Sequence, residues 1–174
     1  MNKTIKDLME RRSIRSFTDQ QISKEDLETI VKAGMYAPSG MGRQSAIMLV
    51  IQDEETLETL RRLNCTAAGR EYNRDNFFGA KTVIVVLADK NVRTHVYDGA
   101  VVMSNLMNAA HALNIGSCWI HRAKETFETE EGQQLLRKFG IEGDYEGIGN
   151  CILGYSAVDS PAPKPRKDNY VYWG

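Results

Sequence analysis

Residues Thr82 to Ala88 read TVIVVLA, an unbroken apolar run rich in β-branched side chains. A strand with one wet face alternates apolar and polar residues, so a strand without that alternation has to be covered on both faces. A second compact run, AIMLVIQ from Ala46 to Gln52, is read the same way. The chain must therefore supply helices to both sides of a sheet. Its 174 residues suit one domain over 1–174 with enough length to bury a substantial core.

The covering elements are visible in the helical periodicity of the remaining segments. Ile5, Leu8 and Met9 share one face over residues 4–12. Ser23, with Asp26 three positions on, opens a second helix carrying Leu27, Ile30 and Val31, with Gly34 as its expected stop. Asp53 can cap a helix carrying Leu57 and Leu60. From Val96 to Leu113 the residues Val96, Ala100, Met103, Leu106, Met107, Ala110 and Leu113 recur at three and four. Small residues at Gly99, Ser104 and Ala109 allow close packing on further sides, as in a central helix that a partner chain can share. A strand is expected over 116–121, a helix ending near Phe139 and Gly140, and a last strand over 148–155. Alternating strands and helices give an α+β (α/β layered) architecture.

Composition removes several function classes. Net charge is −1, so the surface is not a general polyanion-binding one, and no nucleic-acid partner is expected. No apolar run approaches the roughly 18 residues that span a bilayer, and MNKTIKDLMERR is no signal peptide. The three cysteines, Cys65, Cys118 and Cys151, are widely spaced and odd in number, which indicates neither a disulfide framework nor a zinc site. His95, His111 and His121 show no metal-ligand spacing. A cytoplasmic protein without a metal is the plain expectation. His111 is read as a residue packed beside the central helix, Met103 and Met107 as core, and Asp98 and Asn105 as helix or interface contacts.

Against this balanced charge, two basic clusters stand out at opposite ends of the chain. RRSIRSF carries Arg11, Arg12, Ser13 and Arg15; PAPKPRK carries Lys164, Arg166 and Lys167. Arg11 and Arg15, four apart on a helix, would be like charges on neighbouring positions, either solvated or bridged by a phosphate that guanidinium groups bind in pairs. The second cluster lies in a segment where Pro161, Pro163 and Pro165 alternate, which excludes helix and favours an extended arm. The arm ends in Tyr170, Val171, Tyr172 and Trp173, too apolar to rest comfortably in water; it can fold back or lie on another subunit. Between the clusters, APSGMGRQ from Ala37 to Gln44 is a tight loop whose backbone amides can approach a ligand. It is neither GxGxxG nor a P-loop.

RRSIRSF, APSGMGRQ, the segment DGAVVMSNLMNAAHALNIGSCWI and the terminal GY…PAPKPR come in this order along essentially the whole chain. In order and spacing they resemble the FMN-dependent nitroreductase family. The resemblance implies a nitroreductase-like fold, with a central mixed, mostly antiparallel sheet flanked by helices and residues 161–174 extending onto a partner subunit. It implies that Arg11, Arg12, Ser13 and Arg15 hold the FMN phosphate and ribityl chain, with Lys164 and Arg166 converging on the same phosphate. Pro38, Ser39, Gly40 and Met41 are implied to reach the flavin from the other subunit, with Gln44 nearby, and Asn73 to meet the isoalloxazine edge. Cys118, Trp119, Ile120 and His121 are implied to line the other side. No side chain is implied as a catalytic acid or base.

The activity implied is hydride transfer from NADH or NADPH to bound FMN, then reduction of a nitroaromatic, quinone or similar small aromatic acceptor in a ping-pong cycle, by a homodimer with its sites at the subunit boundary. Two other readings stand beside it: a non-catalytic FMN or phosphometabolite-binding protein, and a family branch with dehalogenating or flavin-fragmenting chemistry. The chain departs from many relatives at Gly42, where they carry Asn, at Ser45, where they carry Pro, and at His121 and Arg122, where a small Gly is usual. Arg43 is one replacement for the missing Asn contact. The pair at 121 and 122 either shapes the pocket toward an anionic substrate or turns away, with Arg122 held by Glu125.

Overall fold

The computed structural model describes residues 1–71 and 75–174. In chain order the elements are α1 (Lys3–Glu10), α2 (Lys24–Met35), β1 (Ala46–Ile51), α3 (Glu54–Ala67), β2 (Thr82–Asp89), α4 (His95–Ala112), β3 (Gly116–Ile120), α5 (Ala123–Phe127), α6 (Glu130–Lys138) and β4 (Tyr145–Gly154). The sheet has the order β1-β2-β4-β3, so β2 is internal and β3 forms an edge. All three strand pairings are antiparallel; a parallel element enters through the isolated bridge between Ser13 and Ser117.

The apolar run at 82–88 lies in β2, and both of its faces are covered. Val83, Val85 and Leu87 point into a cluster with Leu57, Leu60, Phe127 and Leu136, supplied by α3, α5 and α6. Ile84, Val86 and Ala88 point the other way, against Ile30, Met103, Leu106 and Ala110 of α2 and α4. Every one of these β2 side chains is 0% exposed. Burying a large aliphatic side chain contributes about 1.5–3 kcal/mol, so these two half-cores carry most of the fold.

Local chemistry sets the helix ends. Ser23 Oγ accepts from the Asp26 N–H (3.0 Å) and Asp53 Oδ1 from the Thr56 N–H (2.8 Å), the two N-caps expected from sequence. Gly140, at φ +68, lies just past α6. Gly34 is not a stop: α2 runs to Met35, and a Cβ at 34 would lie 2.8 Å from Leu106 Cδ2. Its absence is what lets α2 approach α4. The first helix is shorter than expected. It ends at Glu10, and Arg11 is already extended at φ −53 and ψ 133. The apolar face of α1 stays in solvent, with Ile5, Leu8 and Met9 at 45%, 51% and 60% exposure. On α4, Met103, Leu106 and Ala110 of the expected stripe are buried and its first residue, Val96, is exposed; Tyr97 and Val101, outside the stripe, are exposed as well.

Candidate functional site

Because α1 ends at Glu10, the basic cluster RRSIR lies on extended chain rather than on a helix. Ile14 is buried, and its N–H donates to the Ser117 carbonyl at 2.9 Å, tying this segment to the free edge of β3. That contact fixes the register of the basic side chains. Arg12 Nη1 donates to the carbonyls of Met9 and Arg11, both at 2.8 Å, so part of this guanidinium closes the end of α1. Its Nε and the Arg11 Nη1 are buried without a hydrogen-bond partner among the described residues. Ser13 is half-buried and Arg15 exposed.

The two ends of the chain do meet. Arg11 and Arg12 line one cleft of about 530 Å³ together with Lys6, Pro163, Lys164 and Arg166. Among the described residues, none of Arg11, Arg12, Arg15, Lys164 and Arg166 forms an ion pair with a carboxylate. Uncompensated cations with buried, unpartnered donors are what a phosphate needs: charge-assisted hydrogen bonds waiting for an acceptor. The residues present fit a dianionic phosphate. Lys6, which sequence reasoning passed over, shares the cleft, with Glu10 at 3.9 Å from its Nζ.

The loop at 37–44 is built by α4. Asp98, in the first turn of α4, is 4% exposed. Its Oδ1 accepts from the Gly40 N–H at 2.9 Å; its Oδ2 accepts from the Ser45 hydroxyl at 2.7 Å and the Thr94 hydroxyl at 3.1 Å. Burial pushes the Asp98 carboxyl up, but these donors and nearby His95 outweigh it and hold the pKa below the usual carboxylate value. The Gln44 N–H donates to Ser39 Oγ at 2.9 Å, and Met41, Gly42 and Gln44 all have positive φ. A Cβ on Gly40 would collide with the Thr94 hydroxyl. Ser45 therefore has its own work: it is a donor to the anchoring carboxylate. Sequence reading gave Asp98 only a generic helix or interface role, because the partners that reveal it lie more than fifty residues away.

Pro38, Ser39 and Gln44 line a pocket of about 290 Å³ with Met35, Ile47 and Asp98. Neither the basic cluster nor the end of β3 contributes to it. Within one chain, then, the structure joins the two basic clusters and leaves the loop apart from them.

At the end of β3 the side chains alternate. Cys118 is 1% exposed and points into the α3 side of the core; Trp119 packs on the α4 side; Ile120 is half-buried against the first cluster; His121 is exposed. Trp119 and His121 border a pocket of about 220 Å³ together with Val96, Lys124, Glu125 and Glu146. Arg122 takes the left-handed conformation, φ +76, and its Nη1 donates to Glu125 Oε1 at 2.5 Å. Of the two readings of Arg122, the structure has the ion pair. Cys151, next to Arg11, is no nucleophile: burial, with the Cys118 sulfur adding to it, pushes its thiol up to about 12 against the opposing charge of Arg11. Asn73 lies outside the described residues.

These features meet an independent comparison. Residues 8–155 match the model of the nitroreductase family. An Archaeoglobus fulgidus protein with the provisional name NADH dehydrogenase/NAD(P)H nitroreductase is 33% identical, over 98% of this chain and 91% of its own. A Bacillus subtilis FMN reductase [NAD(P)H] is 26% identical over 95% of this chain and 70% of its own. The crystal structure of a Bacteroides fragilis nitroreductase with bound FMN superimposes with a TM-score of 0.92 at 26% identity, covering 100% of both chains. With its fold, its cleft and its sequence in agreement, the chain belongs to the nitroreductase family.

Proposed function

We propose that this protein is an FMN-dependent oxidoreductase of the nitroreductase type, using NADH or NADPH to reduce a nitroaromatic, quinone or similar small aromatic acceptor by a ping-pong mechanism. The observation that carries the reading is the cleft in which Arg11 and Arg12 meet Lys164 and Arg166, none of these four being ion-paired among the described residues. FMN held there would supply the hydride chemistry that links the nicotinamide to the acceptor. The chain's own residues bind and orient. Arg11, Arg12, Lys164 and Arg166 neutralise the phosphate, Ser13 and Arg15 continue the site along the edge of β3, and Trp119 and His121 border the ring, while the Cys118 side chain is turned into the core. No general acid or base is required of the protein, since alignment of donor and acceptor within about 3–3.5 Å governs the transfer.

The reading includes a homodimer. Pro38, Ser39, Gly40, Met41 and Gln44 complete the site from a second copy, which accounts for a preformed loop that meets no basic cluster in its own chain. Exposed Met41, Tyr97 and Val101 and the aromatic end of the arm offer apolar surface for that copy. Two-fold symmetry then gives two equivalent sites. No described helix is long and apolar enough to cross a membrane. The three cysteines are free and buried, consistent with the reducing cytoplasm.

The test is an absorbance spectrum of the purified protein, read anaerobically before and after NADH or NADPH. Flavin bands that bleach with either nucleotide, and return with a nitroaromatic or a quinone, are expected. Flavin bands indifferent to both nucleotides would make the protein a flavin carrier instead, and a colourless protein that FMN cannot reconstitute would overturn the reading.

A further inference from the structure

The turn that leaves β3 is tied down at three consecutive carbonyls. The Ile120 carbonyl accepts from Asn150 Nδ2 at 3.5 Å, the His121 carbonyl from Asn64 Nδ2 at 2.8 Å, and the Arg122 carbonyl from the Thr126 N–H at 3.0 Å. Between them sits Arg122 at φ +76, a conformation that a residue with a Cβ avoids unless its surroundings impose it. The strongest of the side-chain ties comes from Asn64, a polar residue on α3 that is 1% exposed. Asn64 is itself oriented, because its Oδ1 accepts from Asn76 Nδ2 at 3.3 Å. A buried amide that spends its donor on one carbonyl and its acceptor on another amide has a defined orientation.

We infer that Asn64 is a positioning residue for the candidate site: by holding the His121 carbonyl toward α3, it aims the Arg122 N–H at a hydrogen-bond acceptor of the bound flavin ring. A trans peptide is planar, so the N–H of Arg122 points opposite to the His121 carbonyl. With that carbonyl drawn toward α3, the N–H faces away from α3, directly after His121, which borders the pocket of about 220 Å³ at the end of β3; the basic segment attaches nearer the start of the same strand, at Ser117. The inference rests on the FMN reading above and deepens it, since it names the group that orients the ring rather than the phosphate. It also explains Asn64 and Asn76, which motif reading passed over because neither lies in a recognisable pattern.

The test uses the full-length, FMN-loaded protein and compares its affinities for oxidised and reduced FMN. Asn64→Leu stays close in volume and removes the donor without adding a charge; Asn76→Ala leaves Asn64 in place and removes its orienting bond. Lys164→Ala serves as the contrast. For Asn64→Leu the ratio of the two affinities is expected to change at least tenfold, which for a two-electron couple is a shift of about 30 mV in the potential of bound FMN. Asn76→Ala is expected to change it in the same direction by a smaller factor. Lys164→Ala should weaken both affinities while leaving their ratio unchanged, because the phosphate is the same in both redox states. If either asparagine variant folds and binds FMN with the wild-type ratio, Asn64 is a structural residue only and the inference is overturned. A wild-type protein that binds no FMN is a separate outcome, which removes the flavin reading itself.

Discussion

The loop at 37–44 and the arm at 161–174 are both assigned to the same ligand, yet they are held in opposite ways. The loop hangs from a buried carboxylate that accepts from Gly40, Ser45 and Thr94, and its positive-φ turn is closed within the chain by the Gln44 N–H to Ser39 Oγ. The arm is exposed at every residue from 161 to 174, and its internal contacts are as slight as Arg166 Nη1 to the Lys164 carbonyl at 3.3 Å and the Lys167 ammonium 5.7 Å from the Tyr170 ring. The difference separates two sources of order. The loop draws its shape from the free energy of folding, and the arm takes its shape from what it closes on.

If that contrast holds, removing each region damages different things. Deleting 161–174 is expected to have the largest effect, on binding alone. Losing the charged hydrogen bonds of Lys164 and Arg166 costs about 3–6 kcal/mol of FMN affinity, and the dimer should dissociate. Within a single chain the exposed arm contributes little to stability, so any fall in the apo-protein's Tm should track loss of the dimer and depend on protein concentration. Calorimetry with size-exclusion chromatography reads all three quantities, and a truncated protein that stays yellow and dimeric breaks the contrast.

Asp98→Ala is the reciprocal case. It leaves a buried hydroxyl and an amide without their acceptor, which costs about 2–3 kcal/mol, or about 4–12 °C in Tm for a domain of this size. Its pH dependence can be worked out from the direction of the shift. The folded-state pKa of Asp98 lies below its unfolded value, so its contribution is complete above the ordinary carboxylate range and is lost as pH falls through the folded pKa. Asp98→Asn should flatten that acid limb, which urea melts between neutral pH and pH 3 would register. Ser45→Ala removes one of the three donors and should cost about 1 kcal/mol. The smallest effect is expected from Arg122→Gly. Relief of the left-handed strain, about 1 kcal/mol, is offset by loss of a half-exposed ion pair worth about 0–1 kcal/mol, leaving a Tm equal to or slightly above wild type.

The sequence made the layers legible because their signals are local. The all-apolar β2, the caps at Ser23 and Asp53, and the order of the motifs needed no knowledge of distant contacts. Where sequence reading went astray, tertiary approach decided. Gly34 looks like a stop by its type, yet it sits where α2 meets Leu106. Val96 falls on the apolar period of α4 but remains 43% exposed, because periodicity cannot tell a face buried in the domain from one left for a partner. At the site, the resemblance pointed to both basic clusters, and the structure brings them to one cleft. Asp98, Asn64 and Lys6 were invisible because their roles depend on partners far along the chain or on a cleft formed only by folding.

The central claim, that both ends of the chain bind one phosphate, is tested most directly by comparing FMN with riboflavin. Dissociation constants for the two, measured by flavin fluorescence quenching on wild type and on the double variant Lys164→Ala/Arg166→Ala, isolate the phosphate. The account predicts that wild type prefers FMN by about a hundredfold or more, and that the double variant loses most of that preference while its riboflavin affinity is unchanged. Equal binding of FMN and riboflavin by the wild-type protein, or an FMN preference that survives loss of both arm cations, would contradict it.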